Sequence, residues 1–242
     1  MTSDNASEGA VGDSSGADHR TLSGQIAAEL HAGILRGDFP GGSQLKIMEL
    51  AARYNTSAMP IREALRQLGS LGLVERAPHR GARVLALSLE DMRETMEARL
   101  LLEPSAVERA GRQMSHEDIA HATQALTEME AHLIAKEPHE ARRRHEDFHF
   151  TFYRASGSSW LLRLIEMVWH NADRYSFAYP LSRAEQDQSD QEHREILAAC
   201  IKGDSEEAAE MMRKHIVHTM YRLESVLTQA AGVGLPEMDP ER

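Results

Sequence analysis

The stretch ELAARYNTSAMPIREALRQLGSLGLVER, residues 49–76, decides how the first third of the chain folds. A short helix, roughly Lys46 to Tyr54, is broken by Asn55 and Thr56. Ser57 then sits where an N-cap belongs, with Pro60 in the first turn and Glu63 close behind. From there Ile61, Ala64, Leu65 and Leu68 share one helical face, and Gly72 ends the helix. Upstream, Ile26, Leu30, Ile34 and Leu35 follow helical spacing as far as Gly37, and FPGGSQL (39–45) reads as a turn. Downstream, LVER (73–76) and ARVLAL (82–87) alternate like strands around APHRG, a two-stranded hairpin with a basic tip. Three helices followed by a hairpin is the element order of a winged helix-turn-helix.

Charge distribution agrees with that order. The 242-residue chain carries a net charge of −11, which argues against a nucleic-acid binder until it is mapped. Residues 1–19 hold four acids and no Lys or Arg, residues 20–87 hold nine bases against five acids, and the remainder holds 18 bases against 29 acids. A basic segment joined to an acidic one divides the labour: the first faces phosphates, the second avoids them.

Beyond Ser88 the strand signals vanish. Helices are expected at about 88–112, 115–136, 138–156, 159–178, 184–202 and 205–230, with breaks at Gly111, Pro138, Gly157, Pro180 and Gly203. Ser88 with Asp91 and Ser115 with Asp118 read as capping boxes, and Ser205 as a third helix start. The fold class is therefore mostly α: a winged helix-turn-helix over 19–87 and an all-α bundle of six to seven helices over 88–231. The Gly, Ser and Asp-rich start (1–18) is expected to be a disordered tail, and 232–242 a loose one. The start has neither a basic region nor an apolar core, so no secretory signal is expected. No apolar run reaches membrane-spanning length, and the single cysteine, Cys200, fits a reducing cytoplasm.

Three segments, ILRGDFPGGSQL (34–45), residues 49–76 and HRGARV (79–84), resemble the GntR superfamily of transcriptional regulators. The resemblance implies that the helix after Ser57 enters the major groove of double-stranded DNA. Its arginine in the Arg-Glu-Ala-Leu motif is Arg62. Arg66 lies one turn on, either as a second DNA contact or as a solvent-facing charge. His79, Arg80 and Gly81 match the wing tip. Lys46, Arg53, Ser57, Ala58, Met59, Pro60 and Arg83 complete the expected DNA-facing set. Many relatives carry an arginine after the capping residue; here Ala58 and Met59 offer methyl-type contacts and no bidentate hydrogen bond to a base.

EARLLLEPSAVERA (97–110), HEDFHFTFYRASGSSWL (145–161), EHREILAACIKGD (192–204) and AAEMMRKH (208–215) are similar to the FCD-type ligand domain of the FadR-like branch. Members of that branch often hold a divalent metal with one Asp and three His. His149, His193 and His215 match the histidines, and His145 stands where the Asp is usual. Four imidazoles favour a borderline ion such as zinc or nickel over magnesium. Asp147, two residues along a helix, points away from His145. Arg99 matches an arginine facing the ligand cavity, where it pairs either with an effector carboxylate or with Glu103 four residues on.

The function these readings imply is a DNA-binding regulator, by the usual habit of the family a repressor, released from a two-fold related operator by a small organic acid. A homodimer through the helical domain is expected. The competing reading is a metal-dependent hydrolase, since positions 145–149 read His-Glu-Asp-Phe-His with Glu146 as base. The absence of a substrate-binding strand in the second half weighs against it.

Overall fold

A computed structural model describes residues 21–77 and 81–230. The expected tails at 1–18 and 232–242, and His79 and Arg80 of the wing tip, lie outside the described residues. The chain opens with α1 (Leu22–Leu35), capped by the Thr21 hydroxyl accepting from the Gly24 amide. Then come β1 (Gln44–Leu45), α2 (Ile47–Arg53), α3 (Ala58–Ser70), β2 (Val74–Ala77) and β3 (Gly81–Val84). Leu30, Ile34, Leu45, Ile61, Leu68, Leu73 and Val84 close the core between them. Each such side chain contributes roughly 1.5–3 kcal/mol on leaving water.

The wing differs from the expected two-stranded hairpin. It is a three-stranded antiparallel sheet in the order β1-β3-β2, with Gln44 opposite Arg83 and Leu45 opposite Ala82. A two-residue strand is too short to show a period of two, so β1 read as part of a turn. The expected strand over 82–87 ends at Val84 because the Leu85 carbonyl turns aside to accept from Arg174. Gly81 sits at φ 115°, and a Cβ there would lie 2.1 Å from the Leu45 carbonyl oxygen. Its glycine is required by the approach of β1, whatever the wing touches outside.

The second half folds as α4 (Leu89–Gly111), α5 (His116–Ile134), α6 (Pro138–Ala155), α7 (Ser159–Ala178), α8 (Arg183–Lys202) and α9 (Ser205–Ala230). These six helices, among the described residues, enclose a separate core built on Met92, Met96, Phe148, Phe152, Ile165, Tyr175, Ile196 and Met212. Ser115 and Asp118 form the full reciprocal box. Ser88 accepts from the Asp91 amide, but the Asp91 carboxylate takes the Tyr175 hydroxyl instead. Helix α9 starts at Ser205 as expected, and Asp204 before it caps the helix by accepting from the Glu207 amide. A Ser182–Glu185 box, unread in the sequence, opens α8.

The two cores meet along α7. Asn171 donates to the Leu71 carbonyl (2.8 Å) just past the end of α3. Gly72 beside it has φ 70° and no room for a Cβ, which would fall 2.6 Å from Asn171 Nδ2. Arg174 donates to the Leu85 carbonyl, and His31 of α1 packs edge-on against His170 at 4.8 Å. Burial, then the neighbouring His170 and Arg142, pulls the His31 imidazole down from 6.5 to about 4. Between those values the unfolded chain binds the proton and the native one does not. His31 therefore contributes stability that is complete above pH 6.5 and lost as pH falls toward 4. Denaturant unfolding of a His31→Phe variant should show a pH slope shallower than wild type by up to about 1.4 kcal/mol per pH unit in that window. His170, also lowered by burial, keeps its own share. Identical slopes would refute the assignment.

Candidate functional site

Helix α3 presents two faces. Ile61, Ala64, Leu65 and Leu68 are buried. Met59, Arg62 and Arg66, spaced i, i+3 and i+7, are exposed on the other side, Met59 at 73%. Ser57 holds the N-cap position with an extended backbone (φ −78°, ψ 170°), but its hydroxyl makes no capping bond. Pro60 is half-buried and Ala58 partly exposed in the first turn. Arg66 is exposed and paired with Glu63 at 2.5 Å. Lys46, at the start of α2, pairs with Glu49, and Arg53 lies over the Phe39 ring. Arg83 is exposed on β3, 3.8 Å from Glu75. Arg62 has no ion pair among the described residues, so its charge is uncommitted.

In the helical half, α6 supplies His145 and His149 one turn apart, α8 supplies His193 and α9 supplies His215. Their four candidate ligand atoms all lie within 4.8 Å of one another. His149, His193 and His215 are buried. Two nitrogens, His149 Nε2 and His193 Nε2, face each other at 3.1 Å, while His193 Nδ1 is buried with no partner among the described residues. The outer nitrogens of two rings are held: His215 Nδ1 by Glu192 (2.8 Å) and His149 Nδ1 by Tyr153 (3.3 Å). That orients one nitrogen of each inward, as the outer partners of metal-bound histidines do. Burial, reinforced by the neighbouring rings and arginines, keeps His145, His149 and His193 well below their ordinary values, hence neutral and able to ligate. Four convergent imidazoles fit a nitrogen site for a borderline ion.

Arg99 takes the internal alternative. Its guanidinium is clasped by Glu103 through Nε (2.6 Å) and Nη2 (3.2 Å), with Met96 Sδ 3.7 Å from Nη1. Tyr153 donates to the same carboxylate (2.6 Å). Burial opposes the charge on Arg99, yet Glu103 holds its pKa above the ordinary value. The guanidinium also lies 4.9 Å over the Trp169 ring, which packs against His145 and His149. Arg99 and the histidines thus share one end of the site and do not face each other across it. Both border a cavity of about 800 Å³ that also reaches Arg36 and Asp38 of the first half.

Glu146 lines a different recess of about 260 Å³ with Asp147, Glu166 and His170. Asp147 pairs with Arg144. Neither acid borders the cavity of the histidines, so Glu146 is not placed as the base that the hydrolase reading required.

Residues 94–218 match the family described as FCD domain, and residues 22–84 match bacterial regulatory proteins of the gntR family. The chain belongs to the GntR family. This GntR-family chain is 30% identical over 193 residues to the HTH-type transcriptional repressor GlaR of Escherichia coli K12, covering 76% of this chain and 87% of that one. It is 31% identical over 203 residues to a probable D-xylose utilization operon transcriptional repressor of Paenarthrobacter nicotinovorans, covering 81% and 86%. Among solved structures, E. coli McbR/YncC shares the fold with a TM-score of 0.72 at 22% identity, over 87% of this chain and 99% of that one. Family membership makes the chain a DNA-binding transcriptional regulator and not an enzyme. Among the described residues no helix is long and apolar enough to cross a membrane.

Sequence reading missed several residues of the site. Glu103 is the internal partner that the sequence offered for Arg99; of the missed residues, Tyr153 was within reach, one helical turn from His149. Glu192, directly before His193, carried no pattern of its own. Trp169, Asn171 and Arg174 meet their partners only through the tertiary fold. Removing Glu103 leaves a buried unpaired guanidinium, so Glu103→Ala should cost roughly 3–5 kcal/mol. Equilibrium unfolding checks this, and a cost below about 1 kcal/mol would show that Arg99 finds another partner.

Proposed function

We propose that this GntR-family regulator is a repressor whose operator affinity is set by a small organic acid bound in the 800 Å³ cavity. The observation that carries the reading is the double attachment of α7. Trp169 packs on His145, His149 and Arg99, while Asn171 and Arg174, within two turns, hold the carbonyls of Leu71 and Leu85. A ligand that shifts the Trp169 end changes the footing of α3 and the wing. Effector control then requires only that the ligand prefer one placement of the DNA-binding head. Helices packed into a dense core respond by discrete shifts, which suits a switch.

On the DNA side, Ser57, Ala58, Met59, Pro60, Arg62 and Arg66 form the groove-facing surface of α3, flanked by Lys46, Arg53, Gly81 and Arg83. The free Ser57 hydroxyl and Arg62 are placed for phosphate or base contact, and Met59 for an apolar contact such as a thymine methyl. A homodimer joined through the helical half presents two such heads to a two-fold related operator.

On the effector side, His145, His149, His193 and His215 hold a zinc or nickel ion. Such an ion supplies a positive charge and a coordination position for a carboxylate oxygen. Glu192 and Tyr153 orient the imidazoles, and Nη1 of Arg99 is the guanidinium nitrogen left for the acid.

Two measurements test the reading. Operator DNA selected from a random library should bind wild type with strong salt dependence. Arg62→Ala should weaken that binding about tenfold or more and flatten the salt slope. Wild-type affinity and slope in the variant would remove Arg62 from the interface. Zinc titration by competition with a chromophoric chelator should find one ion per chain, with binding abolished in His149→Ala and weakened about 10–100-fold in Glu192→Ala. Wild-type zinc affinity in His149→Ala would overturn the metal site.

A further inference from the structure

Four arginines border the cavity: Arg36, Arg99, Arg142 and Arg222. Three are neutralised within the protein. Arg36 pairs with Asp38, Arg99 with Glu103 and Arg142 with Asp173. Arg222 pairs with no carboxylate among the described residues. Its one hydrogen bond runs from Nη1 to the Tyr179 carbonyl (2.9 Å), at the end of α7. That bond uses one of five N–H donors, and the group is half-buried. Withdrawing an unpaired guanidinium from water is costly unless something else satisfies it. Burial lowers its pKa accordingly, with only the more distant Glu185 to offset this.

The position of Arg222 is as informative as its lack of a partner. It follows His215 on α9 by seven residues, two turns along nearly the same face, or about 10 Å along the axis. Tyr179 follows Trp169 on α7 by ten residues, about 15 Å in the same sense. Arg222 therefore stands at the end of the cavity away from the histidines and Arg99. Its guanidinium is held at that end by the Tyr179 carbonyl. The wall between carries the hydroxyls of Ser176, Ser189 and Thr219, which have no hydrogen-bond partner among the described residues.

We propose that the cavity takes a hydroxylated acid with an anionic group at each end, and that Arg222 is the receptor for the end remote from the histidine cluster. The inference rests on the reading of this cavity as the effector site. It narrows the effector from any small carboxylate to a polyhydroxy dicarboxylate. A charge-assisted, bidentate pair at Arg222 rewards the second carboxylate, and the wall hydroxyls receive the polyol middle.

The test uses full-length protein purified with zinc, and calorimetric titration with matched acids. Xylarate, glucarate and galactarate serve as diacids, and xylonate, gluconate and galactonate as their monoacids. At least one diacid should bind tenfold or more tighter than its monoacid. Arg222→Gln, which retains an amide donor for the Tyr179 carbonyl, should erase that preference while leaving monoacid affinity unchanged, and Arg222→Lys should keep part of it. Diacid and monoacid affinities within threefold of one another in wild type would overturn the proposal without any variant. So would a diacid preference that survives in Arg222→Gln. Diacids that bind, depend on His149 and ignore Arg222 would leave the effector reading standing and sink this one. Failure of all six acids to bind would sink both.

Discussion

A guanidinium buried at 6% exposure must be neutralised where it lies, and in this chain Arg99 is held by Glu103 four residues along α4. Much of the helical half is arranged around that pair. The Glu103 carboxylate has a second lone-pair direction to satisfy, which the Tyr153 hydroxyl fills. Tyr153 in turn meets His149 Nδ1, leaving Nε2 to point at His193. The flat face of the Arg99 guanidinium, unable to hydrogen-bond, is covered by Trp169. One ion pair thus sets a ring tautomer on α6 and seats an aromatic side chain on α7. The arrangement resists partial removal because each member leaves the next unsatisfied.

That seating matters because α7 is also the beam on which the DNA-binding head rests. The contacts from α7 to the head are few and polar: an amide to Leu71, a guanidinium to Leu85, and the edge of His170 against His31. Apolar packing between the two cores is slight by comparison with the packing inside each. An interface of this kind fixes orientation without locking it, since polar contacts to backbone carbonyls can be exchanged for water at small net cost. The head is therefore free to take a second orientation whenever the ligand cavity favours one. The cavity's own border includes Arg36 and Asp38, at the turn that follows α1, so head and body share a wall as well as a helix.

The fold was largely legible in the sequence because its helices are long and their breaks are marked by Gly, Pro and Ser. What escaped were features shorter than a period or dependent on distant partners. β1 has two residues, and Ser57 looked like a cap yet makes no capping bond. Asp204, unread in the sequence, caps the helix that starts at Ser205 because its carboxylate reaches the Glu207 amide. In the site, the histidines could be named since they sit in recognisable motifs on three helices. The choice of Arg99 between Glu103 and a ligand could not be read from spacing, because both partners are chemically adequate and only packing decides. Arg222 gave no signal at all: an unpaired arginine near a chain's end is ordinary until a cavity is seen beside it.

Charge bookkeeping ties these features together. The resemblance that suggested a metal site places an aspartate where this chain has His145, and the substitution removes a negative charge from the ligand set. Four imidazole ligands bring no negative charge to a dication, and Glu192 is already shared between His215 and His218. Arg99 adds nothing to the surplus, since Glu103 cancels it. The proposed ion at one end and Arg222 at the other then form two separate positive poles in a cavity whose other arginines are each paired with an acid. A monoanion satisfies one pole and leaves the other to water. An acid ionised at both ends satisfies both, and ordinary Coulomb attraction in a partly desolvated cavity favours it.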